Sequence, residues 1–341
     1  MTKEKIKVLF IWKVREELKK YLQNGIDNHN IELIFPQEAK EEIYLKYANE
    51  VEAIVGWRPT AKLLEEAKNL KLFINPGAGV QHLTELFKKI QQKRDVVLVN
   101  GHGNSYFTAE HIVAMLLALF NKLIPHHNWM CEGKWRLGDD AAKSIPLRHK
   151  RVGLLGYGKV NKKVHRFLSP YDVTFSILRK NWQKDELYEF PTEFNKYNYS
   201  QLHTFLKEID ILLIAVPLTK ETKGMIGKKE LGLLGEEGFL VNAGRGPVVQ
   251  EKALYEALKQ KTISAAAIDV WYDYKPEPDA DGKRFPASYP FYELDNILLS
   301  PHRAASPLDD LRRWDEVLEN IRRLARGENE FLNVVDVKEG Y

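Results

Sequence analysis

Two basic side chains follow strand-like runs in settings where they can do chemistry. Arg245 lies in Asn242-Ala243-Gly244-Arg245-Gly246, directly after an apolar stretch, among neighbours too small to crowd it. Open α/β sheets bind ligands outside the carboxyl ends of their strands. A guanidinium there can grip a carboxylate with paired hydrogen bonds and polarise an adjacent carbonyl; the ordinary alternative is a surface ion pair. His302, in Ser300-Pro301-His302, also follows a strand end, and imidazole titrates in the range useful for passing a proton. The other histidines lack such a setting. His29, His126, His127 and His149 read as solvated, His102, His111, His165 and His203 as packing or surface residues, and His82 borders a glycine turn. No pair has metal-ligand spacing with supporting carboxylates, so no metal site is expected.

The stretch Arg151–Asn161, RVGLLGYGKVN, reads as a buried strand, a tight turn and a helix start. Gly156 permits the turn, and Gly158 lets a pyrophosphate approach the backbone at the N-terminus of a helix opened by Lys159 and Val160. Asn161 stands where a third glycine would be. The plain alternative is an ordinary strand–turn–helix corner. Earlier, Gly77-Ala78-Gly79-Val80 follows another strand, and its backbone amides can face an anion.

The elements that position these residues alternate in type. In the first hundred residues, strands are expected at Ile6–Trp12, Ile31–Phe35, Ala53–Val55, Leu72–Ile74 and Val96–Val99, with helices between them. A long helix over Thr108–Met130 is expected to bend or end at Pro125. From Val152 a second series gives six strands: Val152–Leu155, Val173–Ile177, Ile209–Ala215, Gly238–Asn242, Ala265–Asp269 and Ile297–Ser300. Asp273–Pro290 reads as a loop and Leu308–Arg326 as an amphipathic last helix. Such alternation makes parallel sheets covered on both faces, the second of them a doubly wound dinucleotide sheet.

Composition narrows the function classes. A chain of 341 residues favours two domains. The 51 Lys+Arg and 47 Asp+Glu leave +4, spread without a basic tail, so no nucleic-acid partner is expected. A single cysteine, Cys131, suits a reducing compartment. The N-terminus shows no signal-peptide pattern, and the apolar helix near Ile112–Phe120 is too short to span a bilayer. A cytoplasmic protein without membrane contact is expected.

Taken together, the chain resembles the D-isomer-specific 2-hydroxyacid dehydrogenases, in particular glyoxylate/hydroxypyruvate reductases, over nearly its whole length. Asn75–Val80, Ala109-Glu110-His111, Gly153–Gly158, Ala215-Val216-Pro217-Leu218-Thr219, Asn242–Gly246 and Ser300-Pro301-His302 occur in the family's order and spacing. The resemblance implies an α/β protein with a doubly wound Rossmann cofactor domain (108–306) and a smaller flavodoxin-like substrate domain (1–107, completed by 307–341). It implies NAD(P)-dependent interconversion of a 2-oxo acid and a D-2-hydroxy acid. Arg245 would hold carboxylate and carbonyl, His302 would act as general acid/base, and the Ala78 and Gly79 amides would hold the carboxylate. Thr108, Val216, Pro217, Ala243, Gly244, Asp269 and His302 would border the cofactor. Arg179, 23 residues after Gly156, and then Lys180 stand where the family places an acid for the ribose hydroxyls. They attract a 2′-phosphate, so NADP is expected, with NAD the alternative. Family members are usually dimers through the cofactor domain, and the Thr108–Met130 helix suits that contact.

One position departs from the family. Its catalytic glutamate falls five residues after Asp269, where this chain has Tyr274. Either Glu277 or Asp273 bends in, or the histidine works with only Tyr274 to orient its ring, or catalysis is feeble or lost. The rival to an enzyme is therefore a dinucleotide-binding sensor or interaction protein on the same fold. Trp271, Tyr272, Tyr274, Tyr289, Phe291 and Tyr292 read mainly as packing for the late loop and a dimer surface. One or two of them lining the substrate pocket would suit a substrate larger than glyoxylate. Trp57, Arg58 and Trp135 are further candidates for substrate contact.

Overall fold

The computed structural model describes residues 5–26, 30–136, 138–182 and 189–341, so His29 lies outside the described residues. The chain divides into two compact units, Met1–Asn104 with Pro307–Tyr341, and Ser105–Ser306.

In the first unit, the short apolar runs form β1 (Ile6–Phe10), β2 (Ile31–Ile34), β3 (Ala53–Val55), β4 (Leu72–Asn75) and β5 (Val97–Asn100). All pair in parallel, in the order β2-β1-β3-β4-β5. Parallel strands need crossover connections, here α1 (Glu16–Asn24), α2 (Glu41–Leu45), α3 (Ala61–Glu66) and α4 (Thr84–Gln91). The strands are apolar on both faces because both are covered. Phe73 packs with Leu63 and Phe87 on one side, and Phe10 with Leu18 and Ile321 on the other. Ile321 belongs to the C-terminal helix, Asp315–Arg326, which returns to this sheet. That helix starts later than the sequence suggests, because Leu311–Trp314 forms a 3-10 turn capped by Asp310.

The second unit opens with the long helix, in two pieces. α5 (Ser105–Phe120) is a core helix; α6 (Leu123–Cys131) leaves it at 61°. The expected break at Pro125 is corrected to Lys122, which is left-handed at φ 50°. Pro125 sits in the first turn of α6, where its missing N–H breaks no helical bond. Then come α7 (Asp139–Ala142), β6 (Arg151–Leu155), α8 (Lys159–Leu168), β7 (Thr174–Leu178), β8 (Asn195–Tyr197), α9 (Leu202–Lys207), β9 (Ile211–Ile214), α10 (Lys228–Leu234), β10 (Phe239–Asn242), α11 (Glu251–Lys259), β11 (Ala265–Ile268) and β12 (Ile297–Leu299). The seven strands are parallel, in the order β12-β11-β10-β9-β6-β7-β8. The order reverses at β6, the switch point where doubly wound sheets bind ligands. β8 was not expected: it is a short polar edge strand whose one buried side chain is Tyr197, so no apolar run announces it. α5 and α8 cover one face and α9, α10 and α11 the other. Among the described residues no single helix is long and apolar enough to cross a membrane.

Candidate active site

The fingerprint turn joins β6 to α8. Gly156 has φ +84°, and a Cβ there would lie 2.6 Å from Val216 Cγ1, so a side chain is excluded by conformation and by contact. Gly158 caps α8 in extended backbone and is exposed. The first amides of α8, at Lys159 and Val160, are thus at an anion-binding helix start. Asn161 is fully buried, and its Nδ2 donates to the carbonyls of Leu155 (3.2 Å) and Gly156 (2.7 Å). The residue in the third-glycine position therefore ties the turn to the end of β6. Beneath it, the Tyr157 hydroxyl meets His165 Nδ1 at 2.7 Å, and His165 Nε2 meets Thr192 at 2.8 Å. Burial pushes His165 down to about 4, making it a neutral packing residue.

A basic cluster flanks the turn. Burial disfavours the charge on Lys162, and Arg179 and Lys159 add their repulsion. Arg179, just past β7, lies 5.4 Å from the Trp182 ring and donates its backbone N–H to Tyr197. Lys180 forms an ion pair with Glu221 at 2.9 Å. An anion beside Lys162 relieves the repulsion it feels from Arg179 and Lys159. A nicotinamide dinucleotide with a 2′-phosphate therefore fits this turn: glycine gives the approach, the helix start takes the pyrophosphate, and Lys159, Lys162 and Arg179 supply positive charge. Val216, 4% exposed, packs against Gly156. The next carbonyl, that of Pro217, accepts from Thr222 Oγ1 at 2.6 Å.

The other end of the ligand edge is built by β10, β11 and β12. Buried Asn242 braces the turn after β10: its Nδ2 donates to the Arg245 carbonyl and its Oδ1 accepts from the Gly244 N–H, both at 3.1 Å. Gly246 is obligatory, since a Cβ would lie 2.2 Å from the Trp271 carbonyl oxygen. Half-buried Arg245 donates to the Gly244 carbonyl at 2.6 Å. Asp269, 1% exposed, organises the loop after β12. Its carboxylate accepts from Ser300 Oγ, the Arg303 N–H (2.7 Å) and the Ala304 N–H (3.1 Å). Ser300 Oγ also lies 2.9 Å from His111 Nε2, itself 3.6 Å from Asp269. His111, read above as packing or surface, is therefore part of this network. Thr108 lies one turn before it on α5, half-buried.

Fixed by that loop, His302 has φ +56°, a left-handed conformation uncommon outside glycine. The Tyr274 ring stands edge-on to it, centroids 5.3 Å apart at 62°. The protein around the ring pushes His302 below its ordinary value; Asp269 acts in the opposite sense, and Arg245 adds to the lowering. Arg245 and Asp269 also act on Tyr274, whose hydroxyl accepts from the Trp271 N–H at 3.4 Å. Glu277 is exposed and is not among the charges acting on His302. Asp273 is engaged with the Lys275 N–H at 2.8 Å. Of the alternatives drawn from the sequence, the structure brings Tyr274 to the imidazole and leaves both carboxylates away from it.

In the first unit, Asn75 Nδ2 donates to the carbonyls of Gly77 and Gly79, and Asn100 Nδ2 to that of Ala78 at 2.9 Å. The N–H groups of Ala78 and Gly79 have no acceptor among the described residues. Trp57 lies beside Gly77 in a cluster with Trp12 and Trp314, and Trp57, Arg58 and Trp135 are all exposed.

Residues 113–304 match the family model described as the NAD binding domain of D-isomer specific 2-hydroxyacid dehydrogenase. The D-3-phosphoglycerate dehydrogenase of Archaeoglobus fulgidus is 30% identical over 328 residues, 94% of this chain and 58% of that enzyme, so this chain spans little over half its length. A glyoxylate reductase of Korarchaeum cryptofilum is 29% identical over 276 residues, 79% of this chain and 77% of that protein. A D-isomer specific 2-hydroxyacid dehydrogenase from Xanthobacter autotrophicus, crystallised with NADPH, has the same fold with a TM-score of 0.78, 24% identity and coverage of 99% and 100%. The chain belongs to the D-isomer-specific 2-hydroxyacid dehydrogenases.

Proposed function

We propose that the protein is an NADP-dependent oxidoreductase that interconverts a 2-oxo acid and a D-2-hydroxy acid. The observation that carries this reading is one electrostatic neighbourhood: Arg245 and Asp269 act on both His302 and Tyr274, at the carboxyl ends of β10, β11 and β12. Arg245 grips the substrate carboxylate and polarises the 2-oxo group. Within the first unit, the Ala78 and Gly79 amides are donors for an anion. The cofactor, when bound, supplies the hydride. His302 gives its proton to the oxygen that becomes the hydroxyl and takes it back in the reverse direction. Asp269 holds the His302 loop through its accepted hydrogen bonds, and Tyr274 fixes the ring plane without a charge. Glycine at 156 and 158, the starts of Lys159 and Val160, and the Val216-Pro217 wall hold the dinucleotide, with Arg179 selecting the 2′-phosphate. Thr108, Ala243 and Gly244 complete that lining.

The protein is a cytoplasmic homodimer in this reading. α6 buries none of its residues and exposes Leu123, Ile124 and Met130, an apolar surface that a second copy would cover. The experiment follows NADPH absorbance with glyoxylate, hydroxypyruvate, pyruvate and phenylpyruvate. Turnover is expected, with kcat/KM lowered about 10²- to 10³-fold in Arg245→Ala. Tight NADPH binding with no turnover of any acid would replace the enzyme by a dinucleotide sensor.

A further inference from the structure

Residues of the loop from Trp271 to Tyr292, together with Leu299–His302, line an open chamber of about 490 Å³ within the second unit. That volume lies in the range of about 300–1,000 Å³ common to small-molecule sites. The walls include Tyr274, Phe285, Tyr289, Phe291, Tyr292 and Leu299. Phe285 and Tyr292 are stacked, centroids 4.1 Å apart and planes at 21°, which makes one wall flat. Tyr274, Tyr292 and Leu299 expose 57%, 52% and 37% of their surface and converge here. Large apolar side chains left open around one cavity mark a place for an apolar occupant.

The chamber's polar groups narrow that occupant. His302 lies on the wall, so the reacting carbonyl and the chamber share a residue. Asp273 and Arg284 also line it, with Arg284 Nη1 donating to the Pro276 carbonyl at 2.7 Å. One acidic and one basic side chain offset each other there, so the lining offers no net charge to hold a charged side chain.

We propose that this chamber is the side-chain pocket of the substrate, and that it selects a 2-oxo acid with a flat, uncharged aromatic side chain over glyoxylate or a phosphate-bearing acid. The inference rests on the assignment of Arg245 and His302 above. With the carboxylate on Arg245 and the carbonyl oxygen at His302, the third substituent of the carbonyl carbon is the side chain, and the chamber is the space beside His302. An aryl ring there finds stacked and edge-on partners.

The test compares phenylpyruvate with glyoxylate by kcat/KM with NADPH, and by calorimetric binding with NADP⁺ present so that nothing turns over. Leu299→Trp fills the chamber from the exposed edge strand, and Tyr292→Ala removes half of the stacked wall. The wild-type protein is expected to favour phenylpyruvate by about tenfold or more, a preference that falls about tenfold in each variant. Equal or better use of glyoxylate overturns the proposal, as does a preference unchanged in both variants. Dissociation of a dimer by Leu299→Trp with the preference intact assigns the chamber to a second copy of the chain and also overturns it. If no acid is turned over, the reaction is wrong and binding alone judges the chamber. Phenylpyruvate held by the wild type and lost in Leu299→Trp sustains it; no binding removes it.

Discussion

At the fingerprint turn, Asn161 stands where a glycine is expected; at the proton-transfer end, Tyr274 stands where a carboxylate is expected. Asn161 replaces a missing close contact with two hydrogen bonds to the carbonyls of Leu155 and Gly156, so the turn keeps its shape by another means. Tyr274 keeps the place beside the imidazole but not the charge, and the negative charge acting on His302 comes from Asp269 instead. The histidines of the two regions differ in the same sense. His165 has both ring nitrogens bonded inside an apolar cluster and is neutral; His302 keeps an exposed edge and two opposed charges nearby. A motif position can be refilled where its role is shape, whereas refilling a charge position with a neutral ring changes the chemistry.

The largest effect is expected from His165. Between pH about 6.5 and about 4 the unfolded chain binds a proton that the folded chain excludes, so stability falls as pH drops through that window. The loss is about 3 kcal/mol, measurable as the urea midpoint against pH, and His165→Phe is expected to flatten it. An unchanged slope in that variant would remove the contrast between the histidines. Next, Arg179→Asp should weaken NADPH about 10- to 100-fold, the weight of a charge-assisted bond, while NADH is little affected; fluorescence titration reads both. Asn161→Ala should cost about 1–3 kcal/mol by removing the side-chain donor to the Gly156 carbonyl, while the Leu155 carbonyl keeps the Ala215 N–H, seen in Tm and in NADPH affinity, with the KM for the 2-oxo acid unmoved. The smallest shift sharpens the other end. Tyr274→Glu puts a carboxylate beside His302, raises its pKa, and should move the alkaline limb of 2-oxo acid reduction upward by about one pH unit. A limb that stays in place would mean that the residue at 274 does not act through the imidazole.

Much of this was legible in the sequence because it is local. Each first-unit strand is a short apolar run between turn residues, and Gly156, Arg245 and His302 sit beside strand ends that the same pattern locates. β8 escaped because Asn195-Lys196-Tyr197 forms a strand only through pairing with β7. The bend of the long helix escaped because Lys122 carries no sign of a left-handed conformation, whereas Pro125 draws the eye.

The amino-acid sequence by itself determined the two α/β sheets, the dinucleotide turn and the identity of the basic groups, since periodicity and short motifs are properties of neighbouring residues. Only the tertiary structure decided what Asn161 bonds to and that His111, Ser300 and Asp269 form one network. It also decided that Tyr274 rather than Glu277 faces His302, and that the late aromatic residues line one chamber. Those contacts join residues as many as 189 positions apart, as between His111 and Ser300. Their energies depend on burial and direction, which no local pattern of residues records.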